Sequence, residues 1–169
     1  MRAVAMMSFL ALTATFTAIP SPHNAVAMAA APAGLSVAFD PSLSRPDSPI
    51  GQPEMAEITQ RIRETVSRRL EREQVAFTAL NIWVVNLKPN RPTMTQIRLN
   101  PSLSYSSHGL GGAHFQAQMT LSNGRVVRVE SQHFGHDIIQ AQTFTTWTDA
   151  DKAIDWLADD LVKASKSSV

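Results

Sequence analysis

Apolar residues recur at helical spacing from position 55 onward. Met55, Ile58, Ile62, Val66 and Leu70 form one stripe, and the positions between them are mostly polar or charged. That period predicts an amphipathic helix from Pro53 to about Glu73. Pro53 suits its first position, and Glu54 and Glu57 stand in the first turn, where the helix dipole favours negative charge. From Val75 to Leu87 the chain is dense in β-branched and aromatic residues and ends at the breaker Lys88-Pro89-Asn90-Arg91-Pro92, which predicts a strand. Phe77, Leu80, Val84 and Leu87 also fit a helical face, and no glycine marks a boundary near Gln74, so a helix extension stays open as the second reading.

Beyond the breaker, Thr95, Ile97 and Leu99 alternate with polar residues, as do Leu103 and Tyr105, and both stretches read as short strands around a turn at Asn100-Pro101. The clearest local signal follows. His114 to Leu121 and Arg125 to His133 flank Ser122-Asn123-Gly124, the pattern of a β-hairpin. A two-residue turn would set Met119 opposite Arg128 and put charge on the apolar face. A three-residue loop sets Met119 opposite Val127, Ala117 opposite Val129 and Gln118 opposite Arg128, with Gly124 left-handed, and is the consistent register. Ile138 to Trp147 reads as a further strand. Thr148 and Asp151 then form a capping-box variant opening a helix whose Ala150, Ala153, Ile154, Leu157, Leu161 and Ala164 share one face, with Lys163 and Lys166 at its end. The order predicts an α+β fold: an amphipathic N-terminal helix, an antiparallel meander of about four to five strands and a C-terminal helix, both helices on one face of the sheet.

Residues 1–27 read differently. Arg2, an apolar stretch from Ala3 to Ile19, Pro20 and Pro22, and the small-residue run Ala25-Val26-Ala27 have the layout of a cleavable signal peptide, with a second cleavage option after Ala29-Ala30-Ala31. The apolar stretch is shorter than the roughly 20 residues that span a bilayer. Export to a periplasm, or secretion, is therefore expected, with no transmembrane segment in the mature chain. Residues 28–52 are rich in Ala, Pro and Ser and read as a linker, with an edge strand offered at 35–39; residues 53–166 read as a single domain. Asp40-Pro41-Ser42-Leu43-Ser44 and Asn100-Pro101-Ser102-Leu103-Ser104 echo each other. Their flanks differ, so shared turn chemistry explains the echo better than duplication.

Composition narrows the class. The chain of 169 residues has 15 basic and 14 acidic residues, and cleavage at 27 removes only Arg2, which leaves 14 of each. That balance argues against nucleic acid as a partner. There is no cysteine, which excludes disulfides, a thiol nucleophile and an acylated N-terminal cysteine, and suits a bacterial periplasm. The tail from Ala164 is polar and carries no anchor signal.

Candidate chemistry is sparse. His133-Phe134-Gly135-His136-Asp137 gathers two imidazoles and a carboxylate, and the hairpin register brings His114 near them, so His114, His133, His136 and Asp137 are the metal-site alternative; His-x-x-His at a strand end sends its side chains to opposite faces, which argues against it. Ser106 to Gly112 resembles the glycine-rich oxyanion loop of α/β-hydrolases. The Gly-x-Ser-x-Gly elbow and the alternating strands and helices of that fold are missing, so Ser107, His108, Gly109, Gly111 and Gly112 are read as a flexible loop available for binding. Arg61, Arg68 and Arg72 line one flank of the first helix and could meet anionic lipid head groups or an acidic partner, although Glu57–Arg61 and Glu64–Arg68 pairs would explain them as a solvated face. Asp151, Asp155 and Asp159 form a like-charge ladder on the last helix, open to a basic partner. The three tryptophans, Trp83, Trp147 and Trp156, read as core or boundary residues.

These features, with no nucleophile motif, no paired catalytic carboxylates and no phosphate loop, lead to the expectation of a non-catalytic exported module of the bacterial cell envelope that binds a protein or envelope component. It implies no cofactor and leaves room for self-association through a sheet edge. The competing expectation is a metal-binding or hydrolytic enzyme using His108, His114, His133, His136 and Asp137.

Overall fold

The computed structural model describes residues 34–45, 48 and 50–167. The segment expected to be a signal peptide, and the expected linker up to residue 33, lie outside the described residues. The architecture is α+β, with one mixed sheet of four strands: β1 (Leu35–Phe39), β2 (Phe77–Lys88), β3 (Gly112–Leu121) and β4 (Val126–Phe134), side by side in that order. The helices are α1 (Gln52–Arg72), α2 (Met94–Leu99), α3 (Ile138–Ala141) and α4 (Thr148–Lys166). Among the described residues no helix is long and apolar enough to cross a membrane.

The sheet is not the expected antiparallel meander. β1 runs parallel to β2, with Leu35 beside Leu80 and Phe39 beside Val84. Parallel neighbours need a long crossover, and α1 supplies it. The core accordingly reaches into the proline-rich stretch: Leu35, Val37, Leu43 and Ile50 are buried with the stripes of α1 and α4. α1 packs on α4, and α4 packs on β3 and β4.

β2 shows why its sequence fits two periods. Register shifts separate Phe77 from Ala79 and Val84 from Asn86. Each bulge adds a residue and stretches the core-facing spacing from two to three, so Phe77 is followed by Leu80, and Val84 by Leu87. The boundary before it is cut without glycine. Gln74 takes φ 55°, Val75 N donates to Leu70 O at 2.9 Å and Gln74 N to Glu71 O at 3.0 Å, a Schellman closure with glutamine in the left-handed position.

The hairpin has the three-residue loop. Met119 faces Val127, Ala117 faces Val129, and Gln118 faces Arg128, with Gly124 at φ +83°. The echoed segments are one turn used twice: Asp40 Oδ1 accepts from Ser42 N at 2.9 Å, and Asn100 Oδ1 accepts from Ser102 N at 3.2 Å.

Three expected local features differ. Residues 94–99 are helical because Thr93 and Gln96 form a reciprocal capping box, Thr93 Oγ1 accepting from Gln96 N at 3.1 Å and Gln96 Oε1 from Thr93 N at 3.0 Å; 103–105 are irregular chain between turns, not a strand. The strand expected at 138–147 is replaced by α3 and turns, because Asp137 Oδ1 accepts from Ile139 N and Gln140 N and starts a helix. Thr148 does not cap α4 either. Its hydroxyl accepts from Thr145 N at 2.8 Å, and Asp151 is committed to Arg61.

Candidate functional site

Strand alternation gives the sheet two unlike faces. Leu35, Val37, Leu80, Ile82, Val84, Phe115, Ala117, Met119 and Val127 are buried in the core. On the opposite face two rows run across all four strands. Ser36, Asn81, Gln118 and Arg128 stand in one register, and Ala38, Trp83, Gln116 and Glu130 in the next. The first row is stitched together: Ser36 Oγ donates to Asn81 Oδ1 at 2.6 Å, and Arg128 Nε donates to Gln118 Oε1 at 3.3 Å. In the second, Trp83 is 42% exposed on a polar surface and borders a shallow recess with Gln116, Gln118, Arg128 and Glu130. His114 Nε2 lies 2.8 Å from Glu130 Oε1 at its margin. These two rows therefore offer planar amides and one aromatic plate, with one Arg and one Glu.

A second polar cluster closes the other side of the molecule. Asn90, 1% exposed, donates from Nδ2 to Asp149 Oδ2 at 2.7 Å and accepts at Oδ1 from Asp149 N at 2.9 Å. Lys152 Nζ donates to Asp149 Oδ1 at 3.0 Å and sits 4.3 Å above the Phe144 ring. Burial pushes the Asp149 carboxyl up, but the Asn90 and Lys152 hydrogen bonds, with the charge of Lys152 and His133, outweigh it and hold it below its ordinary value. His133 Nε2 is buried without a hydrogen-bond partner, 3.8 Å from Asp149 Oδ1, and its ring meets Trp156 edge-on at 4.4 Å.

The glycine loop is pinned to this cluster. Gly109 N donates to Asn90 O at 2.8 Å, and Gly135 N donates to Gly111 O at 2.9 Å. Gly112 has φ +145°, and a Cβ there would strike the His133 carbonyl, so the glycine meets a backbone demand of the β3–β4 closure. Ser107 N donates to Ser104 O in a turn, and His108 is exposed with Nδ1 3.5 Å from Ser106 O. Two of the loop's amides, Ser107 N and Gly109 N, are thus already committed to backbone carbonyls.

The histidines do not gather. His114 lies on the polar face, His133 on the helix side opposite it, and His136 is exposed beyond the strand end. The hairpin register sets His114 opposite Gln132, as expected, and His133 opposite Ala113, so the two imidazoles stand on opposite sides of the sheet. Asp137 caps α3. No group of three or more His, Asp or Glu among the described residues is placed to hold a metal ion.

The arginine flank has a partner within the chain. Arg61 Nη1 donates to both Asp151 oxygens at 3.0 Å while its Nη2 reaches Glu57 at 2.8 Å, and Arg69 pairs with Asp159. α1 thus answers two steps of the aspartate ladder on α4. Burial and the neighbouring Asp155 and Glu57 hold Asp151 above its ordinary value despite Arg61. Arg68 and Arg72 are exposed and border a groove with Asp155 and Asp159; Glu64 accepts from Gln60 Nε2 instead of pairing with Arg68. Of the tryptophans, Trp147 is buried and donates to Glu57 at 3.1 Å, whereas Trp83 and Trp156 are exposed.

Two features escaped the sequence reading. Trp83 could have been placed on the polar face, because Leu80, Ile82 and Val84 claim the alternate positions. The Asn90–Asp149 pair had no signal, since a buried Asn in a proline-flanked breaker reads as loop. No family model matches the chain, no curated protein matches it, and no solved structure matches it.

Proposed function

We propose that the chain is a non-catalytic binding or accessory module of the bacterial cell envelope, exported to the periplasm by its leader. In this reading α1 and α4 both serve the core side of the sheet, and the opposite face holds a protein or envelope component. The observation that carries it is Trp83, exposed in a row with Gln116 and Glu130 and beside the row of Ser36, Asn81, Gln118 and Arg128. An aromatic plate costs free energy in water and gains it under a partner. The surrounding amides donate and accept without net charge, which favours a neutral polar segment over a polyanion. The competing enzyme reading needs His108, His114, His133, His136 and Asp137 to act together, whereas His114 and His133 stand on opposite sides of the sheet and Asp137 is engaged in capping α3.

The test is capture from the host's own envelope with the tagged mature protein and its Trp83→Ala variant. Trp83 is half outside the core, so the variant is expected to keep its thermal midpoint within a few degrees and to lose most of the partner. Equal capture by both proteins would remove the face from the account.

A further inference from the structure

β4 forms one edge of the sheet. Leu121 N donates to Arg125 O at 2.8 Å and Gly135 N to Gly111 O at 2.9 Å, which fixes the parity of the β3–β4 ladder at both ends. Arg125, Val127, Val129, Ser131 and His133 therefore turn their backbone groups toward β3. Val126, Arg128, Glu130 and Gln132 turn theirs outward, and all four residues are exposed. Beyond them lies no further strand among the described residues.

We propose that this edge takes β4 of a second copy of the chain, antiparallel, about a two-fold axis at Val129. In that register each outward-facing residue meets an outward-facing residue, so each facing pair exchanges both of its N–H···O bonds. Arg128 of each copy stands opposite Glu130 of the other, and Val126 opposite Gln132. The alternating Arg and Glu that would guard the edge against an arbitrary strand are self-complementary in this one arrangement. Glu130 meets His114 through Oε1, and with its side chain 65% exposed its second carboxylate oxygen can accept from Arg128 across the axis. The two polar faces then join into one continuous surface, and the pairing does not depend on what that surface binds.

Sedimentation equilibrium on the protein as its host produces it tests this. The wild type is expected at twice the chain mass at micromolar concentration. Arg128→Glu alone, and Glu130→Arg alone, each bring like charges face to face twice and should raise the dissociation constant about tenfold or more. The double exchange R128E/E130R restores opposite charges and should restore the dimer, which also guards against a single variant that merely folds poorly. A wild type that stays monomeric, a dimer indifferent to the single reversals, or a double variant that remains monomeric would each overturn the proposal.

Discussion

Replacing Asn90 with alanine is expected to destabilise the protein by about 3 kcal/mol, because it strips a buried carboxylate and a buried backbone N–H of their partner at once. Asn90 holds both ends of the Asp149 peptide and side chain, and its own backbone fixes Thr146 and Gly109. One residue thus ties the end of β2, the glycine loop and the start of α4, its side chain holding the Asp149 end. The thermal midpoint should fall by roughly 10 °C. The acid limb carries a second sign. Asp149 titrates in the native state below its ordinary value of 3.8, so the native state binds fewer protons there than the unfolded chain does. Its contribution is complete above that ordinary value and is lost as pH falls through the lowered one. Without the Asn90 hydrogen bond burial has less to oppose it, and acid unfolding should begin at higher pH. Urea titrations across pH check both parts; an unchanged midpoint with an unchanged acid limb would mean that the pair holds nothing together.

The second large effect concerns the proline-rich stretch. A chain starting at residue 51 should lose its cooperative thermal transition. It lacks β1, and with it Leu35, Val37, Leu43 and Ile50, each worth about 1.5–3 kcal/mol when fully buried, against a total stability of about 5–15 kcal/mol for a domain. It also exposes the β2 edge along Leu80 to Val84. Calorimetry decides: an unchanged transition would make residues 34–50 a spacer.

That segment also shows where sequence reading stops. Its prolines and serines have the composition of a linker; the alternation of Leu35, Val37 and Phe39 marked the edge strand that became β1, while the buried Leu43 and Ile50 follow no period. The parallel pairing of β1 depends on α1 returning the chain, which no local pattern records. The hairpin was legible down to its register because turn length and side-chain alternation constrain the same few residues. β2 was legible only as an ambiguity, since its two bulges give the apolar positions the spacing of a helix. α2 was misread for the opposite reason: Thr95, Ile97 and Leu99 alternate, but the Thr93–Gln96 capping box decides the backbone. At the candidate site Arg61 was visible as a helix-flank charge, and its Asp151 partner as a ladder step. That the two answer each other follows only from the packing of α1 on α4.

The claim that the polar sheet face is the working surface is tested most directly in living cells. A photo-activatable cross-linking residue is placed at Gln116, in the row of Trp83, or at Glu71, exposed on α1. The account predicts a discrete adduct from position 116, lost when Trp83→Ala is added, and none from position 71. Adducts from position 71 alone, or an adduct at 116 indifferent to Trp83, would contradict it.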